Sequence, residues 1–423
     1  MSFKTVGCRL NQSETAHMAA LFEAAGYVVV PFGTPCDVCV VHTCAVTATA
    51  EHKCVRYARG VRRSNARALI VLAGCAVEAT GQELLRKAGA DMAVGQADKY
   101  RLPALIAARG RAPASGMSDT AMPRAMPTMA PAPTLPRFSR TRALVKVQDG
   151  CDFCCAYCIV PRLRGPPRSR PLAEVVTEVR SLAEAGYREV VLTGANLGTY
   201  SEQGRHLVDL LAAIEPIDGI DRVRLSSIEL STTERNVIDF MCHSNKLCRS
   251  IHLPMQSGDD GILQRMRRRY DTAQFRAFVE YAVGKMPMLG IGTDILVGFP
   301  GEDEQAFQNT FSLVRELPLS NLHVFPYSPR PGTPAASMPE QVRGQDKKRR
   351  CHLLMTLGSA KRAEFAEAFL GKPVTVLIES VDGKGRGQGL TSEYLEARVA
   401  GPDVSRNEIV TFTPALAEDG LLS

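Results

Sequence analysis

Short apolar runs alternate with helically spaced segments from Phe3 to Gly95. The runs are "FKTVG", "DVCVVHTC", "ALIVLAGC" and "DMAVG", and between them apolar residues recur every three or four positions, as in "NQSETAHMAALFEAAG" from Asn11 to Gly26. Runs of this length fit strands, whereas the longer repeat fits amphipathic helices. Strands that alternate with helices form mostly parallel sheets. We therefore predict a Rossmann-like α/β domain over residues 1–111.

This pattern is lost in the segment that follows. Residues 112–137 read "APASGMSDTAMPRAMPTMAPAPTLPR" and consist mainly of Ala, Pro and Met with scattered polar residues. Such a segment buries too little apolar surface to offset the entropy lost on ordering. We predict a linker or an exposed extension here.

A second series of strand-like runs lies within residues 138–370. The six candidates are "ALVKV", "EVVLTG", "RVRLSS", "SIHLPM", "GTDILVG" and "LHVFPYS", with helical patterns such as Leu172 to Ala185 and Thr272 to Val283 between them. Six βα units in succession indicate a partial (βα)6 barrel, because eight units close the familiar one. Ligands of such folds collect at the carboxyl ends of the strands, and we expect the chemistry there.

The pattern changes once more after a Lys/Arg-rich helical stretch around Gln345 to Phe369. "PVTVLIES", "GLTSEYLEARVAG" and "EIVTFTPA" alternate apolar with polar residues and are separated by glycines. Alternation of this kind is typical of antiparallel strands with one buried face. We predict a small β-barrel over residues 371–423.

Composition decides how the cysteines should be interpreted. The chain has 423 residues, 45% of them hydrophobic and 22% charged, which indicates a globular protein of more than one domain. Neither a signal peptide nor an apolar run of roughly 20 residues is apparent, so we expect a cytoplasmic protein without a membrane partner. Because the cytoplasm keeps thiols reduced, the thirteen cysteines indicate metal ligation, redox chemistry or burial rather than disulfides.

The segment "GCDFCCAYCIVP", from Gly150 to Pro161, contains four cysteines just beyond a predicted strand. Cys151, Cys155 and Cys158, here called the loop cysteines, have the spacing C-x3-C-x2-C. Cys154 cannot face the same way as its neighbour without distortion. Three thiolates on one loop can hold three irons of a [4Fe-4S] cluster and leave the fourth iron open for chemistry. The alternatives are a zinc site completed by a distant fourth ligand and a chance cluster of cysteines.

A second set of cysteines ends three predicted strands of the N-terminal domain. Cys8, Cys44 and Cys75, here called the strand-end cysteines, close the runs "KTVGC", "VVHTC" and "VLAGC". The carboxyl ends of parallel strands share one edge of the sheet, so the topology predicts that these thiols lie together. They suit a second cluster with an open iron, and the alternative is three buried cysteines.

The remaining cysteines give no clear ligand pattern. Cys39 falls inside a predicted strand although it forms C-x2-C with Cys36, and we interpret it as part of the core. No partner spacing is apparent for the others, which we interpret as structural: Cys54, Cys242, Cys248 and Cys351.

The two cysteine sets together resemble the radical S-adenosylmethionine methylthiotransferase family. The likeness extends over nearly the whole chain outside residues 112–137. It is carried by "GCRLNQSETAHM", "HTC", "AGCAVE", "VQDGC", "RGPPRSRP", "VVLTGANLGTY", "RLSSIEL", "HLPMQSGDDGILQRMRRRY", "TDILVGFPGE" and "HVFPYSPRPGTPAASMP". The C-terminal barrel is similar to the TRAM domain of that family. "GCRLNQSE", "VQDGC" and "HVFPYSPRPGTPAA" most resemble the branch that acts on N6-threonylcarbamoyladenosine in tRNA.

The resemblance implies two [4Fe-4S] clusters and S-adenosyl-L-methionine as cofactors. The cluster on the loop cysteines would cleave S-adenosylmethionine to methionine and a 5′-deoxyadenosyl radical, with Tyr157 packed against the adenine. The cluster on the strand-end cysteines would present the sulfur that is methylated and transferred. The implied product carries a methylthio group at C2 of N6-threonylcarbamoyladenosine next to the anticodon (position 37). A radical suits this carbon because its proton is too weakly acidic for acid–base catalysis.

Further cofactor contacts are expected where the predicted barrel strands end. Gly194 lets backbone groups approach the methionyl end of the cofactor. Ordinary turn and capping chemistry explains any one of these positions equally well. The candidates are Thr193, Gly194 and Asn196 after the second strand, Ser227 and Glu229 after the third, and Gln256, Ser257 and Gly258 after the fourth.

The net charge of +7 and a pI near 8.8 permit a polyanionic partner. The resemblance implies the anticodon loop of tRNA, in which a purine can be turned out at lower cost than in a paired stem. "RMRRRY", Arg265 to Tyr270, and "KKRR", Lys347 to Arg350, are candidate phosphate contacts, although a solvated helix face is the commoner explanation. A low-potential electron donor such as flavodoxin or ferredoxin is also implied.

Two other functions stay open on the sequence. A sister methylthiotransferase would act on isopentenyladenosine of tRNA or on an aspartate of a ribosomal protein. A zinc-bearing RNA-binding protein without catalysis would explain the cysteines, the charge and the terminal barrel. It would not explain six βα units with a dense cysteine loop after the first strand.

Overall fold

The computed structural model describes residues 1–109, 141–232, 235–401 and 404–423, and the predicted linker lies outside them. The chain divides into two compact units. Of the described residues, unit 1 contains those within Met1–Ser139, Asp149–Phe153 and Cys158–Pro167. Unit 2 contains those within Arg140–Gln148, Cys154–Tyr157 and Arg168–Ser423. The domain boundaries given above stay predictions.

Unit 1 is built on a four-stranded parallel sheet in the order β1-β2-β3-β4. Successive residues of β2 pack into two apolar clusters, Val41 into one and Val40 into the other, since neighbouring side chains of a strand point to opposite faces. Burial on both faces is why the apolar run of β2 is nearly continuous. The elements are β1 Ser2–Thr5, α1 Arg9–Ala24, β2 Val38–Thr43, α2 Ala48–Ser64, β3 Leu69–Gly74, α3 Cys75–Ala88, β4 Met92–Val94 and α4 Leu102–Arg109.

The central region supplies the barrel strands of unit 2 and, within Cys158–Pro167, one short helix of unit 1. The elements from residue 142 onward are β5 Arg142–Lys146, β6 Gln148–Asp149, α5 Val160–Arg164, β7 Arg168–Ser169, α6 Leu172–Glu184, β8 Glu189–Thr193, β9 Ser201–Glu202, β10 Arg205–His206, α7 Leu207–Ile214, β11 Arg222–Leu225, α8 Arg235–His243, β12 Ser250–His252, α9 Asp260–Arg265, α10 Thr272–Lys285, β13 Gly290–Val297, α11 Glu304–Glu316 and β14 Asn321–Pro326.

The six predicted barrel strands correspond to β5, β8, β11, β12, β13 and β14. They form two parallel sheets, in the orders β11-β8-β5 and β12-β13-β14, which are joined by a bridge between Val223 and Leu247. Each strand therefore lies beside its predecessor in the series. This is the arrangement of an open (βα)6 barrel, and the predicted α/β architecture is confirmed.

Aspartate caps fix the starts of three barrel helices. Asp259, Asp271 and Asp303 each accept a hydrogen bond from the backbone N–H three residues further on. Each cap satisfies one backbone donor of the first helical turn, so α9, α10 and α11 begin directly after these residues.

The C-terminal region of unit 2 continues with α12 Gly344–Glu367, β15 Val374–Val381, β16 Arg386–Thr391, β17 Glu396–Ala400, β18 Ile409–Phe412, β19 Ala417–Glu418 and β20 Leu421–Leu422. The six strands form one sheet in the order β18-β15-β16-β17-β20-β19. Val376, Ile378 and Ala397 form its core together with Ala366 and Phe369. The pairs are antiparallel as predicted, except for a parallel pair between β17 and β20 that the alternation of residues did not indicate.

Two arginines of β11 hold this C-terminal sheet against the barrel. Arg222 Nη1 donates to Leu390 O at 3.0 Å, and Arg224 Nη2 donates to Thr391 O at 3.0 Å. Arg224 also pairs with the buried carboxylate of Glu189 at 2.8 Å.

Among the helices of the described ranges, none combines the length and the apolar character needed to cross a bilayer.

Candidate cluster and cofactor sites

The strand-end cysteines lie at one edge of the sheet in unit 1. Cys8 lies between β1 and α1, Cys44 directly follows β2, and Cys75 is the first residue of α3 after β3. Cys44 interacts electrostatically with both other thiols, and Cys75 interacts with Cys8. The structure therefore brings all three together.

The backbone at this edge is shaped for close approach. Gly7 has φ +108°, and a Cβ at this position would lie 2.7 Å from Cys44 Cβ, so only glycine lets the loop with Cys8 come this near. Asn11 Nδ2 donates to Val6 O at 2.9 Å and to Thr43 O at 3.0 Å. One side chain thus ties the ends of β1 and β2.

The thiols themselves fit a metal cluster. Burial raises the pKa of Cys44 to about 12 and also raises the pKa of Cys75. A thiolate in this environment is stabilised by nearby positive charge, which iron would add at the sulfurs when bound. Gln96 Nε2 donates to Cys75 Sγ at 2.8 Å, a contact that suits a negatively charged sulfur. None of the thirteen cysteines is in a disulfide.

A buried ionic network that was not predicted lies close to the strand-end cysteines. The carboxylate of Glu14 has no exposed surface and pairs with Lys99 Nζ at 2.7 Å and Arg164 Nη1 at 2.9 Å. Arg164 also pairs with Asp149 and donates to Asn11 Oδ1 at 2.7 Å. Glu14 lies on the buried side of α1, which also carries other buried polar residues, so no apolar face marked this charge in the sequence.

The loop cysteines differ in exposure. Cys155 is buried, Cys151 and Cys158 are half-buried, and Cys154 is exposed. The backbone N–H of Cys151 donates to Gly165 O at 2.9 Å. All three lie in one short loop that follows the first barrel strand, β5, and has the spacing C-x3-C-x2-C.

Arg268 is the most important residue that the sequence did not place correctly. Its side chain is only 4% exposed and forms an ion pair with Glu229. Its Nη1 lies 3.2 Å from Cys155 Sγ and 3.3 Å from Tyr157 Oη. The chain leaves α9 at Arg265 and turns at Arg267, which has φ +60°, so Arg268 points inward rather than along a helix face.

One arginine in each basic run therefore needs correction. A phosphate contact is wrong for Arg268, which lies beside Cys155. It is equally wrong for Arg350, which is buried in an ion pair with Glu302 at 2.8 Å. Lys347 Nζ donates to Tyr327 O at 3.1 Å. Packing against the barrel turns Arg268 and Arg350 inward. Phosphate contacts stay a prediction for the exposed members of the two runs, Arg267, Arg269, Lys348 and Arg349.

The candidate residues after β8 form a small polar group. Thr193 ends the strand and is buried, and a Cβ on Gly194 would lie 2.8 Å from Gln148 Oε1. The Asn196 N–H donates to the same oxygen at 2.9 Å. Asn196 Nδ2 is buried and has no hydrogen-bond partner among the described residues. A buried amide donor of this kind fits a ligand carboxylate, because an unsatisfied donor is costly.

The candidates after β11 and β12 have contrasting environments. Ser227 is exposed, whereas its neighbour Ser226 is buried and its hydroxyl has no partner among the described residues. Burial raises the pKa of Glu229, although Arg268 opposes this shift. Gln256 adopts φ +70°, a conformation that costs energy for a residue with a side chain and that clusters at functional sites.

Hydrogen bonds join part of this candidate set in unit 2. Thr232 Oγ1 donates to Asn196 Oδ1 at 3.3 Å and to Glu229 O at 2.9 Å. Arg268 then connects Glu229 with Tyr157. A bound molecule at this group would meet an amide, an ion pair and an aromatic ring, which suits a polar cofactor with a flat base.

Comparison with known proteins decides the family. Residues 145–314 match the model of the radical SAM superfamily, and residues 1–95 match a model described as uncharacterized protein family UPF0004. The threonylcarbamoyladenosine tRNA methylthiotransferase MtaB of Bacillus subtilis is 34% identical over 97% of this chain and 92% of its own length. The chain belongs to the radical S-adenosylmethionine methylthiotransferase family.

The names of two further relatives differ in the modified nucleoside that they give. The protein MtaB of Thermotoga maritima is 34% identical over 99% of the chain and 95% of its own length. A tRNA-2-methylthio-N(6)-dimethylallyladenosine synthase of Frankia casuarinae is 36% identical over 92% of the chain but 72% of its own length. Among solved structures, the radical S-adenosylmethionine methyltransferase TsrM of Kitasatospora setae has a TM-score of 0.59 at 16% identity, covering 79% of this chain and 76% of TsrM. That likeness concerns the fold.

Membership of the family fixes the cofactors. A radical SAM methylthiotransferase is a transferase that carries two [4Fe-4S] clusters and uses S-adenosyl-L-methionine. The two cysteine sets and the polar group after β8 and β11 supply the kinds of ligand that these cofactors need. The sequence prediction of the family and of its cofactors is therefore confirmed.

Proposed function

We propose that this methylthiotransferase adds a methylthio group to C2 of N6-threonylcarbamoyladenosine next to the anticodon of tRNA, in the cytoplasm. One observation carries the choice of substrate. The chain covers 92% and 95% of two relatives named for threonylcarbamoyladenosine, but only 72% and 83% of two named for dimethylallyladenosine. Percentage identity does not separate the two groups, whereas the extent of the match does.

Each cysteine set has its own role in this proposal. The loop cysteines hold one cluster and the strand-end cysteines hold the other. When bound, the first cluster with S-adenosylmethionine supplies a radical that takes hydrogen from an unactivated carbon, and the second supplies the sulfur. The thiols that burial keeps protonated lose their protons to the solvent as iron binds.

The remaining residues orient the cofactor. The buried Asn196 amide donates to the carboxylate of S-adenosylmethionine, and Gly194 allows that end to approach the backbone. Tyr157 packs against the adenine. Arg268 donates to the sulfur of Cys155, and such hydrogen bonds to ligand sulfurs tune the reduction potential of a cluster.

The partners follow from the reaction. The substrate is the anticodon loop of tRNA, where the modified purine is unpaired and can be turned out into a pocket. Electrons come from a low-potential donor such as flavodoxin or ferredoxin. The positively charged chain attracts the polyanionic tRNA at long range.

Nucleoside mass spectrometry in a strain that lacks this gene tests the proposal. Wild-type protein should restore the methylthio group on threonylcarbamoyladenosine, whereas Cys155→Ala and Cys44→Ala should not. Cys154→Ala, which changes the exposed neighbour of Cys155, is the matched control and should restore it. Restoration on isopentenyladenosine instead would show the sister activity. Unchanged tRNA in the deletion strain would defeat both tRNA substrates.

A further inference from the structure

A group of metal-binding side chains lies on the barrel sheet of unit 2 and includes none of the cysteines. His252, Asp294 and His323 come from the adjacent parallel strands β12, β13 and β14, and their ligand atoms all lie within 4.8 Å of one another. We propose that these three residues bind one divalent transition-metal ion.

The register of the strands creates this group. Asp294 pairs directly with His323, and His252 pairs with Gly292, so the three side chains stand on one face as direct and diagonal neighbours. Gly292 makes room for the imidazole, because a Cβ there would lie 2.9 Å from His252 Nδ1. The ring is thereby placed with Nε2 toward Asp294.

The distances fit one ion. Asp294 Oδ1 lies 3.0 Å from His252 Nε2 and 3.3 Å from His323 Nδ1. Ligands held at about 2.0–2.1 Å from a metal are separated by about 2.9 Å at right angles and about 3.4 Å at tetrahedral angles. Both separations from the carboxylate oxygen lie within these limits, and all three ligand atoms lie within 4.8 Å of one another.

The chemistry of the donors selects the class of ion. Two imidazoles and a carboxylate suit Zn²⁺, Fe²⁺ and related ions better than Ca²⁺ or Mg²⁺, and the set leaves coordination positions open.

The surroundings also suit a metal. His252 and Asp294 are partly exposed, and the side chain of His323 is 45% exposed, so an ion and a further oxygen ligand can reach the group. Asn321 lies 3.3 Å from His323 Nε2. Metal on Nδ1 requires a proton on Nε2, and the amide oxygen of Asn321 accepts it once the amide is turned over.

Zinc binding to the full chain with both clusters assembled tests the site. Equilibrium dialysis against Zn²⁺ with elemental analysis should show one more equivalent in wild type than in Asp294→Asn, and at least about tenfold weaker binding in His323→Gln. His243→Gln, an exposed histidine elsewhere in unit 2, should bind as wild type does. Unchanged iron content and cluster absorbance in each variant show that the fold and the clusters are intact.

X-ray absorption at the zinc edge identifies the ligands. The expected shell contains only nitrogen and oxygen at about 2.0–2.1 Å, whereas zinc on a thiolate would show sulfur at about 2.3 Å. Sulfur ligation, or equal zinc in wild type and in both variants, would overturn the proposal and leave a hydrogen-bonded His-Asp-His group. The test does not depend on the substrate, so its failure is distinct from failure of the proposed function.

Discussion

At the scale of single residues, Gly150 decides the course of the loop that carries the loop cysteines. It has φ +73°, and a Cβ there would lie 2.0 Å from Pro166 O. Gly150→Ala must therefore displace the backbone directly before Cys151. We expect the purified variant to lose up to about four irons per chain, measured by iron and sulfide analysis.

The matched control for Gly150 is Gly204→Ala. Gly204 has a similar φ of +78° but nothing within 4 Å of an added Cβ, so only a conformational cost of about 1 kcal/mol applies. Its iron content should equal that of wild type. Equal iron loss in both variants would show that the backbone conformation, and not the contact with Pro166, causes the loss of iron.

A second residue-scale prediction concerns Asn196 Nδ2, a buried donor without a hydrogen-bond partner among the described residues. Asn196→Asp keeps the acceptor for Thr232 but replaces the buried donor with a carboxylate oxygen. Loss of a hydrogen bond to a charged group costs about 1.5–3 kcal/mol, so S-adenosylmethionine should bind at least about tenfold more weakly. Equilibrium dialysis with the cluster-loaded protein measures this. Asn245→Asp, at an exposed position, should bind normally, and unchanged affinity in Asn196→Asp would remove the residue from the cofactor site.

At the scale of elements, topology explains which features could be predicted. The apolar runs predicted the six barrel strands, and the rule for parallel strand ends was enough to expect Cys8, Cys44 and Cys75 at one edge. Both inferences need only the order of elements along the chain. The direction of Arg268 depends instead on a turn at Arg267, and no sequence pattern signalled it.

The register of neighbouring strands is the second feature that could not be predicted from the sequence. His252, Asp294 and His323 all fall in strands that were predicted, yet none was singled out as a ligand. Which residues of neighbouring strands face one another depends on the register of the strands. A shift of one residue moves every side chain of a strand to the other face. The attachment of the C-terminal sheet could not be predicted either. Arg224 lies on β11, and its acceptor Thr391 lies far along the chain.

This attachment leads to a prediction at the element scale. Arg224→Met removes the hydrogen bond to Thr391 and leaves the Glu189 carboxylate buried without its closest partner. Breaking a buried pair on one side costs about 3–5 kcal/mol. We expect faster hydrogen exchange in β15 to β17 and a lower free energy of unfolding. Arg386→Met breaks an exposed pair with Asp382 and should cost at most about 1 kcal/mol; equal effects would contradict the role of Arg224.

At the scale of the whole molecule, the two cysteine sets are built by different means. The strand-end set is assembled by a sheet that lies entirely in unit 1, whereas the loop set comes from one short segment, of which Cys151 and Cys158 belong to unit 1 and Cys155 to unit 2. The first set depends on the order of the strands, and the second depends on the spacing within a single loop. Loss of one cluster should leave the other in place.

Iron analysis of matched variants tests this independence. Wild type should contain about eight irons, and Cys44→Ala and Cys155→Ala about four each. Cys44→Ala should still cleave S-adenosylmethionine reductively, because the loop cysteines are intact, whereas Cys155→Ala should not. Cys154→Ala should match wild type in both measurements. Loss of all iron on a single substitution would show instead that the two sites form as one unit, and zinc in place of iron would contradict the assignment of both cysteine sets.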